Sequence, residues 1–309
     1  MRPLSASSRR QRGLTLVEML VAIVLMFMVT LATVALYTTN SSSKRTIDAS
    51  QSLDDTARFV FELVGQAVHN AGYLGAVPVE SEQGATRYTL ANLFDACEAS
   101  AGTTPCPVLG FDNSRPSVGS LNVVSAGSVG VNASDSVAFR FNGVGRRDGT
   151  TADGSVQNCS GTAVPVATVD AELGLSVFSV KTLAGEPELY CTWGNGTKNE
   201  PIGRGVESFQ VMYAVDCRGT PCVRDGVPDR WVSAAGVGVA NWRHVKAIRI
   251  GLILRGPPGS AQAASGDKLY PLGKDFTGDL SETGLVFTPP LDGRLRRAYT
   301  TTFLLRNSV

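Results

Sequence analysis

Glu18 is the residue whose type and position most clearly suggest a chemical role. It lies in the run from Leu14 to Leu36, where the only other polar side chains are Thr15, Thr30 and Thr33. An ionised carboxylate on a lipid-facing helix costs roughly 2.5–3.5 kcal/mol at mid-membrane and less toward the interface. Glu18 must therefore be compensated, and two simple ways are to reach the lipid headgroups or to pair with an arginine that precedes the run.

Cysteines form the second set of reactive side chains, and all six lie after the apolar run. An even number of cysteines in an exported region indicates disulfides rather than free thiols. Six cysteines allow about fifteen connectivities. Their order favours local pairs, with the third pair left by elimination: Cys97 with Cys106, Cys217 with Cys222, and Cys159 with Cys191. Zinc is the competing interpretation, but the chain has no Cys-x-x-Cys pair and two histidines in all, His69 and His244.

A turn-rich segment between residues 216 and 229 offers carboxylates for a calcium site. The candidate ligands are Asp216, Asp225 and Asp229. Calcium takes about six to eight oxygen ligands, whereas three arginines at 218, 224 and 230 add positive charge to the same segment. We therefore favour a turn closed by a disulfide, and we expect no metal and no cofactor.

Other motifs for binding or catalysis are few. Arg294, Arg296 and Arg297 form a dense basic cluster, which could contact DNA but is more typical of a solvated strand edge. The chain has no Gly-x-Ser-x-Gly, Gly-x-Gly-x-x-Gly or P-loop motif, and His69 has the setting of a packing or surface residue. We expect no enzymatic activity.

The N-terminal region predicts a membrane span. Residues 14–36 form a mainly apolar run of about 23 residues, which at 1.5 Å each is long enough to cross a hydrocarbon layer of about 30 Å. Four arginines and no acidic residue lie in residues 1–13, so the positive-inside rule keeps that segment cytoplasmic and exports the remainder. Four of the 28 Lys and Arg are thus removed from the exported part, which is slightly acidic and has no general electrostatic reason to bind nucleic acid.

The rest of the chain predicts an α+β architecture. Residues 37–76 place apolar side chains three and four apart, which predicts an amphipathic continuation of the spanning helix that ends near Gly72 and Gly75. Residues 77–309 form a β-rich head. Its predicted strands are Ser136–Phe141, Glu207–Val215, Lys246–Leu254 and Tyr299–Leu305, and Gly256–Gly259 is a predicted loop. In the second and third strands, alternate residues from Phe209 to Val215 and from Ile248 to Leu254 share a face.

The segment from Arg10 to Leu20, Arg-Gln-Arg-Gly-Leu-Thr-Leu-Val-Glu-Met-Leu, resembles the cleavage signature of type IV prepilins. The resemblance implies that a prepilin peptidase cuts after Gly13 and that the new N-terminus, Leu14, is methylated. It also implies that Glu18 neutralises the amine of Leu14 in an adjacent subunit and so sets the axial register of a filament. The implied fold is the type IV pilin fold, a long helix packed on an antiparallel sheet.

Four further segments resemble the PilW family of minor pilins. They are Ala71–Gly75, Gly205–Val211, Val245–Arg255 and Gly293–Thr302. This resemblance implies a minor pilin that primes assembly near the pilus tip and supports motility, adhesion or DNA uptake. The implied partners are the other minor pilins, the major pilin, the inner-membrane assembly platform and a PilY-type adhesin. The chain would lie in the inner membrane with a periplasmic head, and after assembly at the cell surface in the pilus.

Two alternatives share parts of this pattern. A minor pseudopilin of type II secretion, of the J type, would have the same leader, the same Glu18 and an α+β head. A membrane-tethered periplasmic enzyme or binding module would retain residues 1–13. One departure from major pilins is Ala35, which stands where they commonly carry a helix-breaking proline.

Overall fold

A single long helix, α1, runs from Leu16 to Asn70. Thr15 caps its N-terminus, and the chain leaves the helix through Gly72, whose φ of 71° suits glycine. The structure is a computed structural model that describes residues 13–75, 94, 97, 106–119, 124–146, 151–167, 172–194, 196–217, 222–261, 266–276 and 283–307. The residues expected to form the leader, apart from Gly13, lie outside these ranges.

Helix α1 has two halves with opposite surroundings. Its first half is exposed throughout, including every residue from Leu14 to Leu36. In its second half, one face is buried at intervals of three and four residues, and Val60, Val64 and Val68 have no exposed surface. The helix is continuous past Ala35, in keeping with the absence of proline there. One element therefore joins a bare apolar segment to the head.

The head contains eleven strands among the described residues. They are β1 Val108–Phe111, β2 Ser114–Val118, β3 Val124–Val129, β4 Ser136–Phe141, β5 Gly174–Leu183, β6 Glu186–Trp193, β7 Lys198–Arg204, β8 Val206–Val215, β9 Arg230–Val232, β10 Val245–Arg255 and β11 Arg296–Leu304. A short helix α2 spans Ala234–Val237, and 3-10 turns span Val131–Ala133, Val239–His244 and Lys274–Phe276. Every pairing is antiparallel.

Two main sheets share one core with α1. The first has the order β1-β4-β5-β6-β7, the second has the order β11-β10-β8-β9, and β2 pairs with β3. Helix residues such as Val64 lie in the same buried cluster as Phe139 and Phe178 of the first sheet and Phe209 and Ile250 of the second. Fully burying one such aliphatic or aromatic side chain contributes about 1.5–3 kcal/mol. The helix therefore joins the two sheets.

The sequence predicted four of these strands closely and missed the others. β4, β8, β10 and β11 occupy the predicted segments, and the predicted loop at 256–259 is a turn. β8 is buried on both faces, because Met212 packs under Leu272 and Leu285 on the side away from the main core. The strands β5 to β7, which complete the first sheet beside β4, were not predicted. The antiparallel pilin architecture expected from the sequence is confirmed, with two main sheets.

Three disulfides brace the loops of the head. They join Cys97 to Cys106, Cys159 to Cys191, and Cys217 to Cys222, and no described cysteine is free. These are the pairs that the cysteine order favours. The second one connects the loop before β5 to β6 across 32 residues, so its closure restricts the unfolded chain more than that of the other two.

Gly205, between β7 and β8, permits a glycine substitution test. Its φ is 74°, and a Cβ there would lie 2.5 Å from the carbonyl oxygen of Arg255. Gly259 has φ 72° with no atom within 4 Å of a Cβ. We expect Gly259→Ala to cost about 1–2 kcal/mol from backbone strain, and Gly205→Ala to cost about 1–3 kcal/mol more from the clash. Urea unfolding of the full chain measures both, and equal losses would contradict the packing at Gly205.

Candidate assembly site

The carboxylate of Glu18 is held at the start of α1 by a capping box. The backbone N–H and the hydroxyl of Thr15 both donate to Glu18 Oε2 at 3.2 Å, and the N–H of Glu18 donates to Thr15 Oγ1 at 3.3 Å. A negative charge at a helix N-terminus is also favoured by the helix dipole. Sequence reasoning missed this third form of compensation, although Thr-x-x-Glu before an apolar run is its usual signal.

Residues around Glu18 are accessible to a partner. Gly13 has no neighbouring atom within 4 Å of a Cβ position, and the Leu14 side chain is 81% exposed. Helix α1 is the one helix of the described residues that is long and apolar enough to cross a membrane. Its apolar first half packs against nothing in the head. The carboxylate of Glu18 therefore lies, hydrogen-bonded to Thr15, at the N-terminal end of an exposed apolar helix.

Asp54 connects the second half of α1 to the sheet edge. Tyr299 donates its hydroxyl proton to Asp54 Oδ1 at 2.6 Å, and Arg297 Nη1 lies 3.1 Å from the same oxygen. The hydrogen bond from Tyr299 lowers the pKa of Asp54. Burial, together with that hydrogen bond, raises the pKa of Tyr299 to about 12. Both groups therefore keep their hydrogen-bonding form at neutral pH.

A buried ion network lies beside this contact, centred on Glu207 of β8. Arg296 donates to both oxygens of Glu207, with Nη2 3.0 Å from Oε1, and Arg255 Nη1 is 3.0 Å from the same oxygen. The side chains of Glu207 and Arg296 are only 3% and 5% exposed. Arg296 also contacts Asp292 at 2.7 Å through each of two nitrogens. At these depths each charge depends on its partners.

The network corrects the interpretation of the arginine cluster. Arg294 lies 2.9 Å from Glu186, Arg296 is buried on Glu207, and Arg297 pairs with Asp54. The three arginines were expected to be a solvated edge, but two of them are inside the fold and all three are neutralised. Their charges are therefore paired within the chain, and of the three only Arg297, whose side chain is 46% exposed, keeps a surface position.

Segments far apart in the sequence meet at these contacts. Glu207 comes from Gly205–Val211, Arg255 from Val245–Arg255, and Arg296 from Gly293–Thr302. The fourth segment, Ala71–Gly75, lies at the end of α1, where Gly72 N–H donates to the Arg140 carbonyl at 2.9 Å. Three of the segments that resemble the PilW family are thus joined by the ion network within the second sheet, and the fourth joins the end of α1 to β4 of the first sheet.

Comparison with known families agrees with these elements. Residues 177–307 match the family model of Type IV Pilus-assembly protein W, and residues 8–34 match that of the Prokaryotic N-terminal methylation motif. The chain therefore carries a PilW-family domain behind a prepilin-type N-terminal motif. The first match runs from β5 through β11 and includes the whole ion network, and the second includes Gly13, Leu14 and Glu18.

Solved structures also resemble the chain. A type IV-like pilin from Thermus thermophilus aligns with 82% of this chain and 96% of its own length, at 14% sequence identity and a TM-score of 0.36. No curated protein matches the chain.

Two of the three candidate calcium ligands have carboxylates that accept from backbone N–H groups. Asp216 accepts from the backbone N–H groups of Asp225 and Gly226 at 3.0 and 2.9 Å, and Asp225 accepts from Val227 N–H. Asp229 is held through its own N–H, which donates to the Val215 carbonyl. In the described ranges no group of three or more His, Cys, Asp or Glu side chains is arranged to hold a metal ion. The carboxylates of Asp216 and Asp225 therefore organise the backbone of residues 225–227.

His69 packs at the C-terminal end of α1, as its position in the sequence suggests. Its ring meets Phe303 edge-on at 6.4 Å between centroids, and its carbonyl accepts from the Asn307 side chain. Burial, with Arg306 nearby, lowers the pKa of His69. A neutral ring is therefore the form that this contact with β11 favours.

Replacing Glu207 tests the ion network. Glu207→Gln leaves two arginines largely buried without their shared carboxylate, which should lower the free energy of unfolding by about 3–5 kcal/mol. The matched control is Asp54→Asn at the exposed pair with Arg297, which should cost less than about 1 kcal/mol. Urea unfolding of the full chain in detergent measures both. Similar small losses from the two variants would show that Glu207 does not hold the head together.

Asp292 gives the network a pH dependence. Its hydrogen bonds with Arg296 lower its pKa from 3.8 to about 2. Because the folded-state pKa lies below the unfolded one, its stabilising contribution is complete above about pH 4 and is lost as pH falls toward about 2. We expect the free energy of unfolding of the wild type to exceed that of Asp292→Asn at pH 7. This difference should shrink as the pH falls from about 4 toward about 2. A difference independent of pH would contradict the assignment.

Proposed function

We propose that this chain is a minor pilin of a type IV pilus that primes filament assembly and is incorporated near the tip. The observation that carries the proposal is the placement of Glu18, which sits four residues after Leu14 on a bare apolar helix that continues rigidly into a folded head. Such a helix can reside in a membrane and later move into a bundle of similar helices, because both surroundings are apolar.

The proposed processing separates residues 1–13 from the mature subunit. The peptidase hydrolyses the amide between Gly13 and Leu14, which leaves a free amine on Leu14 that is then methylated. Residues 14–36 span the inner membrane, residues 37–76 continue the helix into the head, and residues 77–309 form the periplasmic head. The first boundary rests on the prepilin-type motif, and the boundary after residue 36 rests on the change from a fully exposed to a partly buried helix.

Glu18 is proposed to act in two steps. In the precursor its carboxylate accepts from Thr15, so insertion does not leave it without hydrogen bonds. After cleavage, a cationic amine lies one residue from Thr15, and the corresponding amine of an adjacent subunit becomes an alternative partner. Pairing two poorly solvated opposite charges fixes the axial position of one helix against the next. Glu18 is thus a docking group rather than a catalyst.

The proposed partners follow from this assembly. They are the prepilin peptidase, the inner-membrane assembly platform, the major pilin, the other minor pilins and a PilY-type adhesin. Support for motility, adhesion and DNA uptake is proposed as a property of the assembled pilus. Arg294, Arg296 and Arg297 are each paired with a carboxylate within the chain, so DNA uptake is not assigned to this cluster.

Intact mass tests the processing step. In membranes that contain a prepilin peptidase, we expect the chain to lose residues 1–13 and gain one methyl group, while Gly13→Val stays uncut because a side chain blocks close approach of the backbone. The matched control is Glu18→Gln, which should be processed but recovered in sheared filaments at least tenfold less than wild type. An uncut wild-type chain would show a bitopic membrane protein and overturn the proposal.

A further inference from the structure

Strand β11 forms an outer edge of the second sheet, and its pairing with β10 fixes which backbone groups point outward. Just beyond its two ends, Leu305 N–H donates to the Lys246 carbonyl at 2.9 Å, and Gly256 N–H donates to the Leu295 carbonyl at 2.7 Å. Hydrogen-bonded and non-hydrogen-bonded pairs alternate in an antiparallel ladder. The odd-numbered residues of β11 therefore bond to β10, and the N–H and C=O groups of Ala298, Thr300, Thr302 and Leu304 point away from it.

These outward groups are available. Among the residues that the structure describes, none of the four has a backbone hydrogen bond on that side, and all four are exposed. Leu304 is 68% exposed, although it ends a strand in a well-packed sheet. An edge of this kind offers alternating donors and acceptors at the spacing of an extended strand, and only another strand satisfies them in order.

Other edges of the two main sheets carry the usual protection against such pairing. β7 contains Lys198, Glu200 and Pro201 and has a register shift against β6. β9 has three residues and β1 has four. By contrast, β11 has nine residues in unbroken register with β10, and from Ala298 to Leu304 it has no proline, glycine or charge. Proteins normally blunt edges with these features, so the unprotected edge indicates a binding surface.

We propose that the outer edge of β11 binds an extended β-strand of a different pilin-type subunit, antiparallel to β11. The proposal rests on the proposed function, because it takes the neighbour in the filament or tip complex as the donor of the strand. The main-chain hydrogen bonds supply affinity, and an apolar side chain opposite Leu304 supplies selectivity.

The direction of α1 excludes antiparallel pairing between the β11 edges of two copies of this chain. Contacts between α1 and β11 rise together in number, from Asp54 with Tyr299, through Gly65 with Phe303, to His69 with Asn307. The helix and the strand therefore run the same way. Antiparallel pairing of two β11 edges would turn one spanning segment away from the membrane of the other. A strand from another subunit, running back toward the membrane, avoids that conflict.

Hydrogen exchange of the full chain tests the pairing. The chain is compared in two states, alone in detergent and incorporated in filaments that contain the other pilin-type subunits of its host. We expect the amides of Ala298, Thr300, Thr302 and Leu304 to exchange at least tenfold more slowly in filaments, while the odd-numbered amides are protected in both states. Unchanged exchange in filaments that contain the chain would overturn the inference alone, and absence of the wild-type chain from filaments would overturn the proposed function as well.

A proline variant separates the backbone from the side chain. Thr302→Pro removes one outward N–H without removing a bond to β10, and Thr302→Val keeps the N–H at similar shape. We expect both to be processed and folded, but Thr302→Pro to be recovered in filaments at least tenfold less than Thr302→Val. Equal recovery would overturn the inference, as would a dimer of the isolated chain with a protected β11 edge, because the donor would then be a second copy.

Discussion

Helix α1 must be stable in two different surroundings, an apolar one along its first half and the core of the head along its second half. The rest of the molecule depends on this constraint. Its first half exposes apolar side chains on every side, which suits lipid or a bundle of similar helices. Its second half buries one stripe of small and β-branched residues against both sheets. Because both halves belong to one uninterrupted helix, the position of the apolar segment fixes the position of the head.

Polar and apolar contacts together hold the second half of α1 to the head. Near its middle, Asp54 is tied to Arg297 and Tyr299 at the surface. Farther along, Val60 packs close to Gly203 of β7 and Gly65 packs close to Phe303 of β11, so a glycine allows close approach of the helix to each sheet. The buried Glu207 and its arginines then hold β8, β10 and β11 at one end, where these strands leave the sheet.

The buried ions have a cost that apolar side chains would avoid. Desolvating Glu207 and Arg296 is unfavourable, and their pairing restores that free energy only if every hydrogen bond is made. Here both Glu207 oxygens have guanidinium donors and Arg296 also has Asp292. Such a geometry tolerates one arrangement of the strands and rejects shifted ones, since a shift in register would leave a charge without its partner.

The sequence by itself determined the elements whose signal is local. The apolar run and Glu18 are contiguous, the heptad-like spacing from Leu53 to Val68 reports a single buried face, and the alternation in β4, β8, β10 and β11 reports strands. Cysteine order favoured the same three pairs that the structure contains. The strands β5 to β7 were missed in the sequence analysis, because β5 and β6 are buried along most of their length and lack a clear alternation.

Only the tertiary structure decided what depends on distance in space. The arginines at 294, 296 and 297 look like a solvated cluster in the sequence, and their carboxylates are supplied by Glu186, Glu207 and Asp54, which lie 89 to 243 residues away. Likewise, Asp216 is a residue type that can bind calcium, but in the fold its carboxylate oxygens accept hydrogen bonds from backbone N–H groups. Charge and residue type are local properties, whereas the partner that satisfies a buried charge is set by how the chain packs.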